Sequence, residues 1–280
     1  MLTLPNDILA EVLNQFLGRI HQIMHTIDYI PKHSNVLIIG ANQGIGLGFV
    51  RQILSDSQVA KIYATYRNSE TATELLSLAA DHPNKLTCLE IDITNESSIT
   101  QGIEAISAEI KKIHLVIYCV GMLHRGELQP EKSLRQINSE NLLSYFQVNS
   151  IGAVLLAKHL MKLLRHKEGS IFASISAKVG SIGDNRLGGW YGYRASKAAL
   201  NMFLKTISIE YSRRCPKTIV VALHPGTTAT RLSQPFQKNV PPEKLFPVEK
   251  TVNLLLEVMS NLKLADSGEF FSWDGSKLPW

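Results

Sequence analysis

In Tyr193-Arg-Ala-Ser-Lys197 a tyrosine and a lysine stand four residues apart, a spacing that puts a phenol and an ammonium on one helix face, one turn apart. A phenol with its ordinary pKa near ~10 exchanges protons poorly at neutral pH, and a cation held beside it favours the phenolate. Such a pair can trade a proton with an alcohol or carbonyl oxygen. The same spacing also occurs as an exposed helical pair, so the surrounding elements decide between the two.

A second chemical feature is Gly40-Ala-Asn42-Gln43-Gly44-Ile45-Gly46, which directly follows an apolar run and opens a helical pattern. Glycines let the backbone turn sharply and approach a pyrophosphate, while a helix N-terminus offers free N–H groups and partial positive charge. The spacing is Gly-x-x-x-Gly-x-Gly rather than Gly-x-Gly-x-x-Gly, and its placement between strand and helix carries the cofactor reading. At the end of the next strand pattern, Ala64-Thr-Tyr-Arg67-Asn68 has an arginine where a ribose-binding acid would stand. A guanidinium pairs with a 2′-phosphate, so NADP is favoured over NAD. Asp92, in Glu90-Ile-Asp92-Ile93-Thr94, either hydrogen-bonds an adenine amino group or caps the following turn; the cofactor role is the expectation.

The elements that must position these residues alternate from Asn35 onward, short β-branched runs with longer helical patterns, as βαβ units do. Strands are predicted at Val36–Gly40, Ala60–Tyr66, Leu86–Ile91, Leu115–Val120, Ser170–Ile175, Thr218–Leu223 and Gly268–Ser272, with helices near 45–56, 70–80, 96–111, 134–165, 191–214 and 248–260. The strands read as nearly continuous apolar runs, the pattern of a doubly wound, seven-stranded parallel sheet covered on both faces. Its ligands bind beyond the carboxyl ends of the strands. Residues 1–34 form a separate extension, in which Ile8, Val12, Phe16, Ile20, Ile23 and Ile27 recur at helical spacing. This amphipathic helix is expected to pack on the domain at 35–280 or on another subunit. Its few cations argue against an anionic membrane surface, so peripheral attachment is the sharper alternative only.

Composition excludes other classes. The net charge of +5 is spread along 280 residues without a basic arm, so no nucleic acid is expected as a partner. Cys88, Cys119 and Cys215 lack metal or disulfide spacing. Neither a metal nor an oxidising compartment is expected, and a cytoplasmic location fits best. No apolar run reaches the ~18 residues of a membrane span.

With the glycine turn, Asp92, helical Asn149, a serine-bearing fifth strand and Tyr193/Lys197 in that order, residues 35–275 resemble the short-chain dehydrogenase/reductase family, of Rossmann type. Leu223-His-Pro225-Gly226 looks like the family's Pro-Gly turn beside the nicotinamide, with Thr228 and Thr230 following it. Gly183-Asp-Asn185, Gly189-Trp-Tyr191 and the close Asp266 through Trp280 are similar to the C-factor branch and its sniffer-type carbonyl reductase relatives. The resemblance implies an NADP-dependent carbonyl reductase or alcohol dehydrogenase, assembled as a homodimer or homotetramer. It also implies a catalytic group of Tyr193 as acid, Lys197 as tuner of its pKa and ribose contact, Asn149 as holder of a relay water, and a serine that fixes the carbonyl oxygen. Counting from the strand gives Ser176; counting back from Gly180 gives Ala177; Ser174 is a third position. The family's Asn-Asn-Ala-Gly turn is here Tyr118-Cys119-Val120-Gly121, which keeps only Gly121, and Gln43 stands where many NADP-dependent members have a basic residue. The segment Thr227 to Val248, with Leu232, Phe236, Val240, Leu245 and Phe246, reads either as a lid over a small apolar ketone, aldehyde or quinone or as loop packing. A cofactor-binding signalling protein with little turnover is the rival reading.

Overall fold

Adjacent residues of a strand point to opposite faces, so a strand covered on both sides must be apolar throughout. Leu37 and Ile38 illustrate this: both are fully buried, and they enter different cores. The computed structural model describes residues 27–280. Its main sheet joins β1 (Ser34–Ile39), β2 (Val59–Tyr66), β3 (Leu86–Glu90), β4 (Leu115–Tyr118), β5 (Ser170–Ile175), β6 (Thr218–His224) and β9 (Glu269–Ser272). All seven are parallel, in the order β3-β2-β1-β4-β5-β6-β9. The order reverses between β1 and β4, which opens a crevice at their carboxyl ends.

One core, built on Ile38, Phe49, Ile62 and Val252, lies under α1 (Gly44–Leu54), α2 (Thr73–Asp81) and α7 (Val248–Ser260). The other, built on Leu37, Ile103, Leu160 and Leu204, lies under α3 (Glu96–Glu109), α5 (Gly152–Leu164) and α6 (Tyr191–Arg214). The sheet, its strands and six helical regions thus follow the sequence pattern, with shifts at the ends.

The helix expected over 134–165 is broken. A 3-10 turn at Leu134–Gln136 precedes α4 (Ser139–Phe146), a π turn covers Gln147–Ile151, and α5 follows. Asn138 starts α4 because its side chain accepts the N–H groups of Glu140 (2.8 Å) and Asn141 (3.2 Å), the role of an N-cap. The π turn adds a residue per turn without ending the helix, so periodicity alone does not reveal it. Two short strands, β7 (Thr227–Thr228) and β8 (Leu245–Phe246), pair with each other at the base of the lid and have no counterpart in the expected elements.

The amphipathic helix expected with its stripe from Ile8 to Ile27 lies outside the described residues as far as residue 26. At its end, residues 27–33 form turns rather than helix. Ile27 is buried, and the Tyr29 hydroxyl donates to the Lys217 carbonyl at 3.1 Å. Among the described residues no helix is long and apolar enough to cross a membrane.

Candidate active site

The glycine turn sits where β1 ends in the crevice. Gly40 (φ 77°) and Gly44 (φ 55°) adopt left-handed backbone, which costs glycine little. Gly46 is needed for a different reason: a Cβ there would lie 2.2 Å from the Gly40 carbonyl oxygen. Gln43 enters α1 without a side-chain cap, and no acid stands in the first turn. The turn therefore presents N–H groups without a competing side-chain acceptor, a donor set that fits a dinucleotide pyrophosphate. Asn42 reaches across to Thr71 (3.3 Å), and Ile45 packs on the core behind.

Arg67 is exposed just beyond β2 and has no ion-pair partner among the described residues, whereas Arg51 on α1 is engaged by Glu74. Asp92 lies just beyond β3. One of its oxygens accepts the N–H (2.9 Å) and hydroxyl (2.7 Å) of Thr94, so the turn-capping role is filled and its other oxygen makes no hydrogen bond to the described residues. Ile93 is buried against Gly152 at the head of α5.

Tyr193 and Lys197 lie on the first turns of α6, 6% and 3% exposed. The tyrosine ring is held edge-on between Trp190 (6.2 Å) and Tyr145 (6.3 Å). Lys197 Nζ donates to the Ile175 carbonyl at 3.0 Å. A Cβ on Gly121 would stand 3.5 Å from that Nζ, 3.9 Å from Asn149 Oδ1 and 3.8 Å from Leu232 Cδ1. The glycine turn after β4, the catalytic-type lysine, Asn149 and the lid thus meet at one point. The pair is buried, which excludes the exposed-surface reading. Burial lowers Lys197 to about 8 and pushes Tyr193 above its ordinary range. The expected depression of the phenol by the lysine is not seen in this geometry, because desolvation acts on Tyr193 while the ammonium is turned to the Ile175 carbonyl.

Asn149 is fully buried in the π turn. Its Nδ2 donates to the Met122 carbonyl (2.9 Å) and Ser196 Oγ (3.0 Å), and its Oδ1 accepts the Met122 N–H (2.6 Å). Ser196 in turn donates to the Tyr193 carbonyl at 2.8 Å. Both amide hydrogens are used within the protein, and Oδ1 keeps a second acceptor site. The side chain ties the segment after β4 to the tyrosine's own helix turn.

Ser176 Oγ donates to Asn201 Oδ1 at 2.6 Å in the buried seam between β5 and α6. Ser174 is buried as well, and its hydroxyl has no partner among the described residues. Ala177, at the N-cap of the 3-10 turn Lys178–Gly180, packs on the cluster of Met122, Leu123, Tyr145 and Tyr193. The Ser176 hydroxyl is thus engaged with Asn201, and the Ala177 methyl borders the apolar cluster around Tyr193.

Pro225 and Gly226 follow β6. Gly226 takes φ 72°, and a Cβ there would press on Phe246 (2.9 Å) and Trp273 (3.1 Å). Thr228 is buried in β7, where its hydroxyl pairs with Thr251 at 2.9 Å. Thr230 faces the glycine turn, its Cγ2 being 3.3 Å from where a Gly44 Cβ would stand. Phe236 in the lid packs against Trp190 with ring centres 4.9 Å apart. Tyr145 was not singled out from sequence, and Trp190 only as part of the Gly189-Trp-Tyr191 motif. Trp190 has a left-handed φ of 53° directly before α6, a conformation that the preceding Gly188 and Gly189 share but that tryptophan rarely adopts.

At the opposite end of β4, His114, His166 and Glu168 bring ligand-type atoms within 4.8 Å of one another. His114 Nδ1 accepts the Asn35 N–H (3.0 Å), so its proton sits on Nε2, facing Glu168 (2.8 Å). No lone pair is left on that ring for a metal ion.

A doubly wound sheet with a glycine turn at the switch point defines the Rossmann-type class of nucleotide-binding folds. The short chain dehydrogenase family model matches residues 34–241, and the chain belongs to that family. It is 29% identical over 253 residues to an uncharacterised oxidoreductase of Schizosaccharomyces pombe, spanning 87% of this chain and 96% of that one. Among solved structures it is similar to an NADPH-bound carbonyl reductase from chicken fatty liver, with a TM-score of 0.79 and 30% identity over 90% of this chain and 100% of the other. It is also similar to the carbonyl reductase Sniffer of D. melanogaster, with a TM-score of 0.78 and 27% identity over 89% and 100% of the two chains.

Proposed function

We propose that this oxidoreductase is an NADP-dependent carbonyl reductase with Tyr193 as its general acid. The observation that carries the reading is the burial of Tyr193 and Lys197 on successive turns of α6, with Lys197 Nζ meeting Gly121 and Asn149. The nicotinamide cofactor supplies hydride when bound. The chain's own residues do the rest: the turn from Gly40 to Gly46 holds the pyrophosphate, Arg67 the 2′-phosphate, and Asp92 with Ile93 the adenine side. Pro225, Gly226, Thr228 and Thr230 border the nicotinamide end, and Lys197 holds the ribose. Tyr193, kept protonated by burial, gives its proton to the carbonyl oxygen as it gains charge. The NADPH-bound relative supports the cofactor choice. The surroundings of Tyr193, with Met122, Leu123, Val179, Trp190, Leu232 and Phe236, are apolar. They suit a small apolar or aromatic ketone, aldehyde or quinone.

Fluorescence titration with NADPH and NADH, followed by a panel of such carbonyl compounds, tests the reading. Micromolar NADPH binding with turnover of at least one class is the expected result; binding without turnover across the panel would overturn it. That second outcome is the rival function, cofactor binding with little chemistry, and Ala177 is the observation that favours it. Met202 and Ile209, 66% and 49% exposed and one heptad apart on α6, support self-association as a dimer or tetramer.

Two smaller effects follow. Ala177→Ser adds a hydroxyl at the edge of the cluster around Tyr193 and is expected to raise kcat by about tenfold or more, since one well-placed donor to a developing oxyanion is worth at least that. Steady-state kinetics decide it, and an unchanged or lower kcat would mean that the methyl position does not face the carbonyl oxygen. Arg67→Ala is expected to reduce the ratio of NADPH to NADH affinity about tenfold, the loss of one charge-assisted contact. An unchanged ratio would assign phosphate recognition to another residue.

A further inference from the structure

Glu131 has no place in the chemistry above, yet it is a carboxylate only 2% exposed. No ion-pair partner faces it among the described residues. It lies on the segment between β4 and the 3-10 turn at Leu134–Gln136, remote in sequence from α6, but both of its acceptor groups are spent on the start of that helix. Its main-chain carbonyl accepts the Trp190 N–H at 2.5 Å. Its Oε2 accepts the Gly192 N–H at 3.1 Å, while Oε1 is buried without a hydrogen-bond partner among the described residues. Helix α6 has no side-chain cap of its own, because Trp190 at the cap position supplies none. A carboxylate at a helix N-terminus meets the unpaired N–H groups and the positive end of the dipole.

The contact is also tight. A Cβ on Gly192 would collide with the Tyr145 ring at 2.4 Å and meet Glu131 Oε1 at 3.0 Å. Gly192 is followed directly by Tyr193, and Trp190 and Tyr145 are the two rings that flank it. One residue therefore grips the helix turn on both sides of Tyr191 and sets the depth and rotation of the turn that carries the phenol.

We infer that Glu131 is a positioning residue for Tyr193, acting through the Trp190 and Gly192 N–H groups rather than by touching substrate. The inference rests on Tyr193 being the general acid, so its test includes a readout that needs no turnover. In enzyme labelled with 3-fluorotyrosine, the Tyr193 signal is assigned by its loss in Tyr193→Phe. Glu131→Ala and Glu131→Asp, which remove the carboxylate or draw it back by one methylene, are expected to shift or broaden that signal. They should lower kcat by about a hundredfold, the scale of a misplacement near 1 Å, with NADPH affinity kept. Glu131→Gln retains an acceptor of the same reach and is expected to restore both signal and kcat; it and the aspartate variant serve if the alanine variant does not fold. An unmoved Tyr193 signal in the alanine and aspartate variants overturns the inference whatever the activity. So does a glutamine variant as impaired as alanine. A wild-type enzyme without carbonyl turnover, in which Glu131 still governs the signal, would count against the reductase reading alone.

Discussion

Tyr193→Phe is expected to lower kcat for carbonyl reduction by about a thousandfold, within the range that a general acid contributes, while NADPH binds as before. The substitution is clean because the hydroxyl has no hydrogen-bond partner among the described residues; removing it orphans no protein group. The ring, held between Trp190 and Tyr145, keeps its packing. Because the lost interaction forms as the carbonyl oxygen gains charge, kcat and kcat/KM should fall together, with KM little changed. A rise in KM at constant kcat would mean that the phenol binds substrate without transferring a proton. The pH profile supplies an independent check. Burial raises Tyr193, so the phenol stays protonated through neutral pH, and lowers Lys197 to about 8. Reduction uses the protonated phenol and a cofactor ribose held by the ammonium, so kcat/KM should decline as pH rises through about 8, where the free enzyme loses the lysine proton. Lys197→Arg stays charged over that range. In that variant the declining limb should move upward even if the rate is lower; a limb that stays near 8 would assign it to another group.

The sheet was legible because each strand is buried on both faces and each helix on one, so hydrophobic periodicity reports the layers directly. The glycine turn was legible because Gly40, Gly44 and Gly46 each answer a local demand, positive φ or a close backbone approach. The break at residues 147–151 was not, since a π turn preserves apolar spacing on both sides while moving Asn149 to face Met122. Ser176 shows a second limit. Strand alternation places its side chain towards α6, where Asn201 takes the hydroxyl, but the residue that turns towards Tyr193 depends on the 3-10 turn that follows. Gly180 is a fixed point of that turn, since a Cβ there would lie 2.8 Å from Lys197, so the loop is anchored at the helix as well as at the strand. Glu131 left no signal at all. Its partners are main-chain N–H groups, which every residue but proline has, and only the folded chain brings them together.

Gly46→Ala is expected to damage stability and cofactor affinity together, and more than its one methyl suggests. The added Cβ would sit 2.2 Å from Gly40 O, 3.0 Å from Gly40 C and 3.1 Å from Ala41 Cα, all backbone atoms. None can rotate aside, so either α1 lifts from β1 or the turn opens. Overpacking of this kind costs about 1–3 kcal/mol, which in a domain of this size corresponds to a Tm loss of about 5 °C. The same displacement moves the first-turn N–H groups away from the pyrophosphate they would bind, and a shift of that order should weaken NADPH at least about tenfold. Gly44→Ala is the discriminating control. Gly44 has left-handed backbone, φ 55°, which costs an alanine about 1–2 kcal/mol. Its nearest neighbour is only the Thr230 methyl at 3.3 Å, which can give way. Gly44→Ala should therefore lose comparable stability with a smaller loss of NADPH affinity, because strain at one residue does not displace the helix. Calorimetry and NADPH titration on both variants separate the two. If Gly46→Ala bound NADPH as well as Gly44→Ala does, the close approach of α1 to the Gly40 carbonyl would be a packing feature only, and the pyrophosphate site would have to lie elsewhere in the crevice.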